Sequence, residues 1–222
     1  MHALHFMTRN VDMTLGAMQP AAMISPPLQL VRPTLRQRQI ASVRHDILQA
    51  AIKRFQAKGY DETTVDEIAE DIGVSRRTVF RYFPAKDDIV LSWGFAVFDG
   101  LRAAVAARPP DESPLACMHA VMIEHVAAPA EAHPDALMLA ALIKKTPRLR
   151  ARSHEITDAW EAALTEGLIA RNPDQSAHAP LVAAVAVAVG RLGARRWLDS
   201  DGGTTLTASI DRGFDELAKI GL

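Results

Sequence analysis

The sequence predicts an all-α fold, and three observations carry that expectation. From Arg36 onward apolar residues recur at three- and four-residue spacing, the signature of amphipathic helices. Ser and Thr stand ahead of these blocks, and Gly or paired Pro stand behind them, as caps and stops do. Alternating β-branched runs closed by hairpin turns are missing, and Asp201-Gly202 separates two helical patterns rather than two strands. At 222 residues, 49% of them apolar, the chain can bury a substantial core, which argues against extended disorder.

Charge and cysteine content narrow the function classes. Lys and Arg number 25 against 26 Asp and Glu, which excludes a uniformly basic binder but leaves room for a local basic patch. Cys117 is the one cysteine, so neither an intrachain disulfide nor a Cys-rich zinc site is available, and a cytoplasmic setting fits. The longest apolar stretch, Leu181 to Gly190, falls well short of the roughly 20 residues that a membrane-spanning helix needs. No membrane association is expected. Residues 1–35 carry internal methionines, the pair Pro26-Pro27 and no basic head followed by an apolar block; they are expected to form a disordered leader, not a signal peptide.

The first helix places Val43, Ile47, Leu48, Ala51 and Phe55 on one face, and Gly59 is placed to end it. Thr64-Val65-Asp66-Glu67 is a capping-box pattern, so Thr64 should open a short helix that turns Ile68, Ala69 and Ile72 inward. Gly73 supplies a tight turn. Ser75 can cap a second short helix, Arg76 to Tyr82, with Val79 and Phe83 packing back on Ile68 and Ile72. Two short helices joined by such a turn make a helix-turn-helix.

The distribution of charge points to DNA. Six acidic and no basic residues lie from Asp61 to Asp71, whereas Arg76, Arg77, Arg81 and Lys86 but no acidic residue lie from Ile72 to Lys86. The basic helix is thus the second, which in this motif enters the major groove. Arg76 and Arg77 sit near its start, where an Arg fork can hold guanine O6 and N7 for about 1–3 kcal/mol of discrimination. Arg32, Arg36 and Arg38 leave open a second reading of the leader's end, as a DNA-contacting arm.

Residues 40–93 resemble the DNA-binding domain of the tetracycline-repressor (TetR) family. The likeness runs through Gly59-Tyr60-Asp61-Glu62-Thr63-Thr64-Val65-Asp66-Glu67-Ile68-Ala69, Gly73-Val74-Ser75 and Phe80-Arg81-Tyr82-Phe83-Pro84-Ala85-Lys86. It implies a three-helix head, residues 36–85, on a helical ligand-binding and dimerisation body, residues 86–222, and commonly a repressor released from its operator by a small molecule. Carried over by position, Thr64 and Thr78 would touch phosphate, Arg76, Arg77 and Phe80 would face bases, and Tyr82 and Lys86 would clamp the backbone. Arg81 would reach phosphate or only solvent, and Phe80 would meet a thymine methyl or cover the small core.

The body reads as six helices. The fourth helix of the chain, from Lys86 to about Arg108, is apolar on more than one side and is stopped by Pro109-Pro110. The fifth is expected over about 113–127, the sixth over about 135–145, and a long seventh from Pro147 to near Asn172-Pro173. The eighth, from about Pro180, is apolar nearly all round, and the ninth repeats Leu206, Ile210, Phe214 and Leu217 after Gly202-Gly203. Small residues on both suit a symmetric four-helix homodimer interface, and two heads would read a palindromic double-stranded operator.

Trp93, Phe98, Met118, Met122, Met138, Leu142 and Trp160 form a set able to line an apolar effector pocket or simply to fill the core. Thr146-Pro147-Arg148-Leu149-Arg150-Ala151-Arg152, Trp160-Glu161-Ala162-Ala163-Leu164 and Arg196-Trp197-Leu198 resemble TetR-type regulators with an acyl-CoA-like ligand domain. That resemblance implies an aliphatic ligand, with Arg148 or Arg152 either meeting phosphate or pairing with Asp and Glu. No nucleophile elbow, phosphate-cradling glycine loop or His-Glu-x-x-His pair occurs, so neither catalytic nor metal-binding residues nor a cofactor are expected. The alternative to a DNA-binding regulator, repressor or activator, is a helical lipid- or acyl-thioester-binding protein whose head only packs.

Overall fold

The computed structural model describes the backbone of residues 34–221 and the side chains of all but residues 93–99 and 175. The leader expected over 1–35 lies outside the described residues but for Thr34 and Leu35. All regular structure among the described residues is helical, as the sequence predicts.

Helix α1, Leu35–Lys58, opens on a complete capping box between Thr34 and Gln37 and buries Ile47, Leu48, Ala51, Ile52 and Phe55. Helix α2, Val65–Asp71, and helix α3, Arg76–Tyr82, pack on it with Ile68, Ala69 and Val79 inward. Gly73 between them has φ of 67°, a left-handed value that side chains strain to adopt, and this lets the chain reverse in so few residues.

Helix α4, Lys86–Ala106, leads into the body. Helix α5, Pro114–Met122, continues through one π-helical turn, Ile123–Ala127, into α6, Ala128–Ala132. The expected fifth helix is therefore longer than the periodicity suggests and is broken in its hydrogen bonding. The cause is Pro129, which lacks an N–H and would drive its ring into the carbonyl four residues back. Ala128 N–H instead bonds the Ile123 carbonyl, five residues back, and the extra residue is absorbed.

Helices α7, Ala136–Lys145, α8, Pro147–Arg171, α9, Ala179–Asp199, and α10, Leu206–Lys219, complete the chain. Helix α8 is the centre of the body, flanked by α4, α7 and α9, while α10 packs on α9. Helix α9 turns Ala183, Ala186, Val187, Val189 and Gly193 inward and leaves Pro180, Leu181, Ala188 and Arg191 exposed on its other side.

Helices α4 and α8 run side by side in the same direction. Their approach is closest at Gly167, where an added Cβ would lie 2.7 Å from Val105 Cβ and 2.9 Å from the Arg102 carbonyl oxygen. Gly167→Ala should therefore lower stability by about 1–3 kcal/mol, since the backbone of α4 cannot give way as a side chain tip does. Gly100→Ala, where a Cβ meets nothing within 4 Å, should raise it by up to about 1 kcal/mol through helix propensity. Urea denaturation of both variants checks the pair, and equal shifts would refute the close-approach argument.

Candidate nucleic-acid interface

The acidic helix α2 is neutralised chiefly from behind. Arg54 of α1 binds Asp71 at 2.5 Å, and Lys58, also of α1, binds Glu67 at 2.5 Å. Arg76 of α3 meets Asp66 at 3.0 Å, with both side chains more than 60% exposed. Such an exposed pair is worth little and yields readily to a phosphate or a base edge. Of the six acidic residues next to the basic helix, two are thus paired by α1 and one, weakly, by α3.

Helix α3 brings six of the eight expected DNA-contacting residues together. Arg76, Arg77 and Arg81 are exposed, and the Arg77 side chain makes no hydrogen bond or ion pair with any described residue. The Arg76 guanidinium lies 5.3 Å from the centre of the half-buried Phe80 ring, so Phe80 both shelters part of the small core and supports the arginine. Arg81 donates to Tyr82 Oη at 3.3 Å and lies over its ring. The Thr78 hydroxyl is 2.9 Å from Ser75 Oγ, while Ser75 Oγ accepts from Thr78 N–H at 3.1 Å and caps the helix. Arg44 of α1 donates to the Tyr82 carbonyl at 2.9 Å and stacks on Phe83 at 4.3 Å, which ties the end of α3 to the core.

Thr64 and Lys86 stand apart from α3, one capping α2 and the other bonding the loop before it. Thr64 accepts Glu67 N–H at 3.3 Å and donates to Glu67 Oε2 at 2.8 Å, so its hydroxyl serves the cap. The Lys86 ammonium donates to the carbonyls of Tyr60 at 2.6 Å and Thr63 at 2.8 Å and lies 4.2 Å from the Tyr60 ring centre. Burial lowers its pKa, against the pull of Asp61 and Asp87. In this arrangement Lys86 spends its donors inside the head, closing the loop between α1 and α2.

The junction beneath this loop joins residues far apart in the sequence, and no local pattern announces it. Asp87 is 1% exposed and accepts from Tyr60 Oη at 2.5 Å and from Arg148 Nε at 2.7 Å. Burial raises its pKa, but those two donors outweigh burial and hold it below the ordinary value. Burial and the Asp87 carboxylate together push the Tyr60 phenol up. Asp88 takes Arg152 at 2.8 Å. Of the two fates open to Arg148 and Arg152, the structure thus shows carboxylate pairing. The only signal in the sequence was two carboxylates in the first turn of a helix, which reads equally well as dipole compensation.

The candidate pocket residues are spread over four helices of the body, α4, α5, α7 and α8. Met118, Met122 and Trp160 are buried, and Met138 and Leu142 pack against the same cluster, while Trp93 and Phe98 lie outside the described side chains. A separate apolar cleft of about 150 Å³ is lined by Pro114, Leu168, His178, Ala179 and Val182, and none of the expected pocket residues lines it. His119, six residues from His125, bonds Asp211 at 2.6 Å and stacks on Phe214. No helix among the described residues is long and apolar enough to cross a membrane.

An exposed basic helix presented by a helix-turn-helix, on a larger helical body, defines a DNA-binding transcriptional regulator. The chain belongs to the tetR family of bacterial regulatory proteins. The sequence model of that family matches residues 47–92, and the model described as the MftR C-terminal domain matches residues 112–220. The HTH-type transcriptional regulator TcmR of Streptomyces glaucescens is 33% identical over 174 residues, which cover 74% of this chain and 77% of that protein. The putative mycofactocin biosynthesis transcriptional regulator MftR of Mycobacterium tuberculosis is 40% identical over 57 residues, 26% of this chain and 28% of that one. Among solved structures, FadR from Bacillus subtilis in complex with stearoyl-CoA aligns with a TM-score of 0.52 at 17% identity, covering 77% of this chain and 95% of that one. NalD, the secondary repressor of the MexAB-OprM efflux pump in Pseudomonas aeruginosa, gives 0.53 at 16%, covering 82% and 96%. At such identities these two show the fold alone.

The capping pair of α2 also sets an acid limit on the head. Hydrogen bonds from Lys58 and Thr64 hold the Glu67 pKa down to about 2 from 4.5. Its folded pKa is depressed, so its contribution is present above the unfolded value and is lost as pH falls from about 4.5 towards 2. Urea midpoints measured across that window should fall less steeply in Glu67→Gln than in the parent. Some slope should remain, because Arg54 holds Asp71 below its ordinary value as well. An unchanged slope would count against the role of the cap.

Proposed function

We propose that the chain acts as a homodimeric repressor that leaves a palindromic operator when a small, largely apolar effector enters its body. The observation that carries the DNA side is helix α3: three exposed arginines, one of them unpaired, on a helix whose acidic neighbour pairs two of its carboxylates with α1. Arg76, Arg77 and Phe80 read bases, Thr64 and Thr78 position phosphates, and Tyr82 and Arg81 flank them. Lys86 joins the clamp by turning its ammonium outward from the Tyr60 and Thr63 carbonyls. The head is residues 36–85 and the body residues 86–222.

The exposed face of α9 supports the dimer. Leu181, 66% exposed, stands with Ala188 on the side of α9 turned away from its own core, and a second copy would bury both. Met118, Met122, Met138, Leu142 and Trp160, with Trp93 and Phe98 of α4, form the effector region. Met side chains adapt to irregular ligands, which suits a site that opens when filled. Acyl-CoA is the ligand class to try first, since the FadR neighbour was solved with stearoyl-CoA. Because Arg148 and Arg152 are engaged by Asp87 and Asp88, the acyl chain rather than the phosphates would supply most of the affinity.

Selection from random duplex DNA should enrich an inverted repeat whose half-sites lie about 34–36 Å apart, one helical turn. Arg76→Ala should lose about 1–3 kcal/mol of discrimination at one base pair, whereas Lys86→Ala should weaken binding to all sequences alike and reduce the salt slope by about 0.9. Thermal shift with stearoyl-CoA should stabilise the protein, less so in Met122→Glu. Enrichment of no sequence would overturn the operator reading, and stabilisation by unrelated aromatic compounds but no acyl-CoA would overturn the ligand class.

A further inference from the structure

Three polar ties join the head and the first turn of α4 that carries it to α7 and α8. Asp87 at the start of α4 receives one donor from each side: Tyr60 Oη, which follows α1, at 2.5 Å, and Arg148 Nε, in the first turn of α8, at 2.7 Å. Asp88 takes Arg152, one turn further along α8, at 2.8 Å, and its other oxygen caps α4 by accepting Ala85 N–H. Gln49 of α1 donates to Asp135, at the start of α7, at 3.1 Å. Beyond α4, the partners in all three come from residues 135–152. The head is thus held at three points around the first turn of α4 and is fixed in rotation as well as in position.

Rotation matters to a two-headed DNA reader. One added base pair moves a half-site by about 3.4 Å and turns it by roughly 34–36°, as 10–10.5 base pairs complete a turn. A loosely hinged head would follow such changes, whereas a clamped one would not. We infer that Arg148, with Arg152, is a positioning residue for operator recognition: by holding Asp87 and Asp88 it sets the angle of the head on the body, and so the half-site spacing that the dimer accepts. The inference rests on the operator reading proposed above. Arg148 is well placed for an experimental test, because its side chain is 72% exposed and its removal opens no cavity.

The experiment uses the full chain and the half-site it selects, presented in a duplex library whose spacer varies by one and two base pairs in either direction. The parent should prefer one spacer over its neighbours by about tenfold, equivalent to about 1.4 kcal/mol of angular strain. Arg148→Ala and Asp87→Asn, which keeps an acceptor for Tyr60, should each flatten that preference to about threefold or less. Both should leave the half-site sequence and single half-site affinity unchanged, and the double variant should be no flatter than either. Arg148→Lys should restore part of the preference. A profile as sharp in Arg148→Ala and Asp87→Asn as in the parent would overturn the inference. So would loss of single half-site binding in step with the spacer effect, which would make the tie a requirement for folding of the head. Failure of the parent to select any half-site would defeat the operator reading itself, and the inference with it.

Discussion

A carboxylate with 1% of its surface exposed stays ionised inside a helical protein only if donors surround it, and the arrangement of head on body depends on how Asp87 meets that requirement. One donor comes from the turn after α1 and the other from the first turn of α8. Each alone would leave the charge half satisfied. Losing one partner of a fully buried pair costs roughly 3–5 kcal/mol, but the exposed Arg148 is screened by solvent and its loss falls well below that range. On the inference above, Arg148 thus helps to set the angle of the head at a modest cost in stability when it is removed.

The same logic of paired charges explains how an acidic segment and a basic one coexist in the head. If the carboxylates of α2 paired mainly with α3, the recognition surface would be neutral. Instead Arg54 and Lys58 reach across from α1, and among the described residues only the exposed Arg76–Asp66 ion pair runs between the two short helices. Helix α1 thus buries an apolar face and also neutralises α2. With Arg44 on the Tyr82 carbonyl and the Phe83 ring, it also holds the far end of α3.

What was legible in the sequence is local. Thr64 and Ser75 accept the hydrogen bonds that start their helices, and a cap is written in two residues three positions apart. The faces of α1, α8 and α10 follow from spacing in the same way. Long-range polar pairs escaped because nothing near Asp87 in the chain announces Arg148, sixty-one residues on. The extension of α5 through a π turn escaped because Pro129 cannot sit in an unbroken α-helix, while one absorbed residue lets the helix continue. For Lys86 the sequence shows a cation at a helix start; only the fold shows the carbonyls that occupy it.

Helices α4 and α8 are joined at both ends, by the Asp87 and Asp88 ties at their starts and by the close approach of Gly167 to Arg102 and Val105 near their finish. Eighteen residues separate Asp87 from Val105 and nineteen separate Arg148 from Gly167, so the two spans match to about one residue's rise of 1.5 Å. A pair of rods pinned at two levels cannot slide along one another; it can only tilt together or be pried apart between the pins. Trp160 lies on α8 between those pins. On the proposed reading, an effector seated there would have to move α4 and α8 as a unit or strain the Asp87 tie, and either motion would arrive at the head as a change of angle.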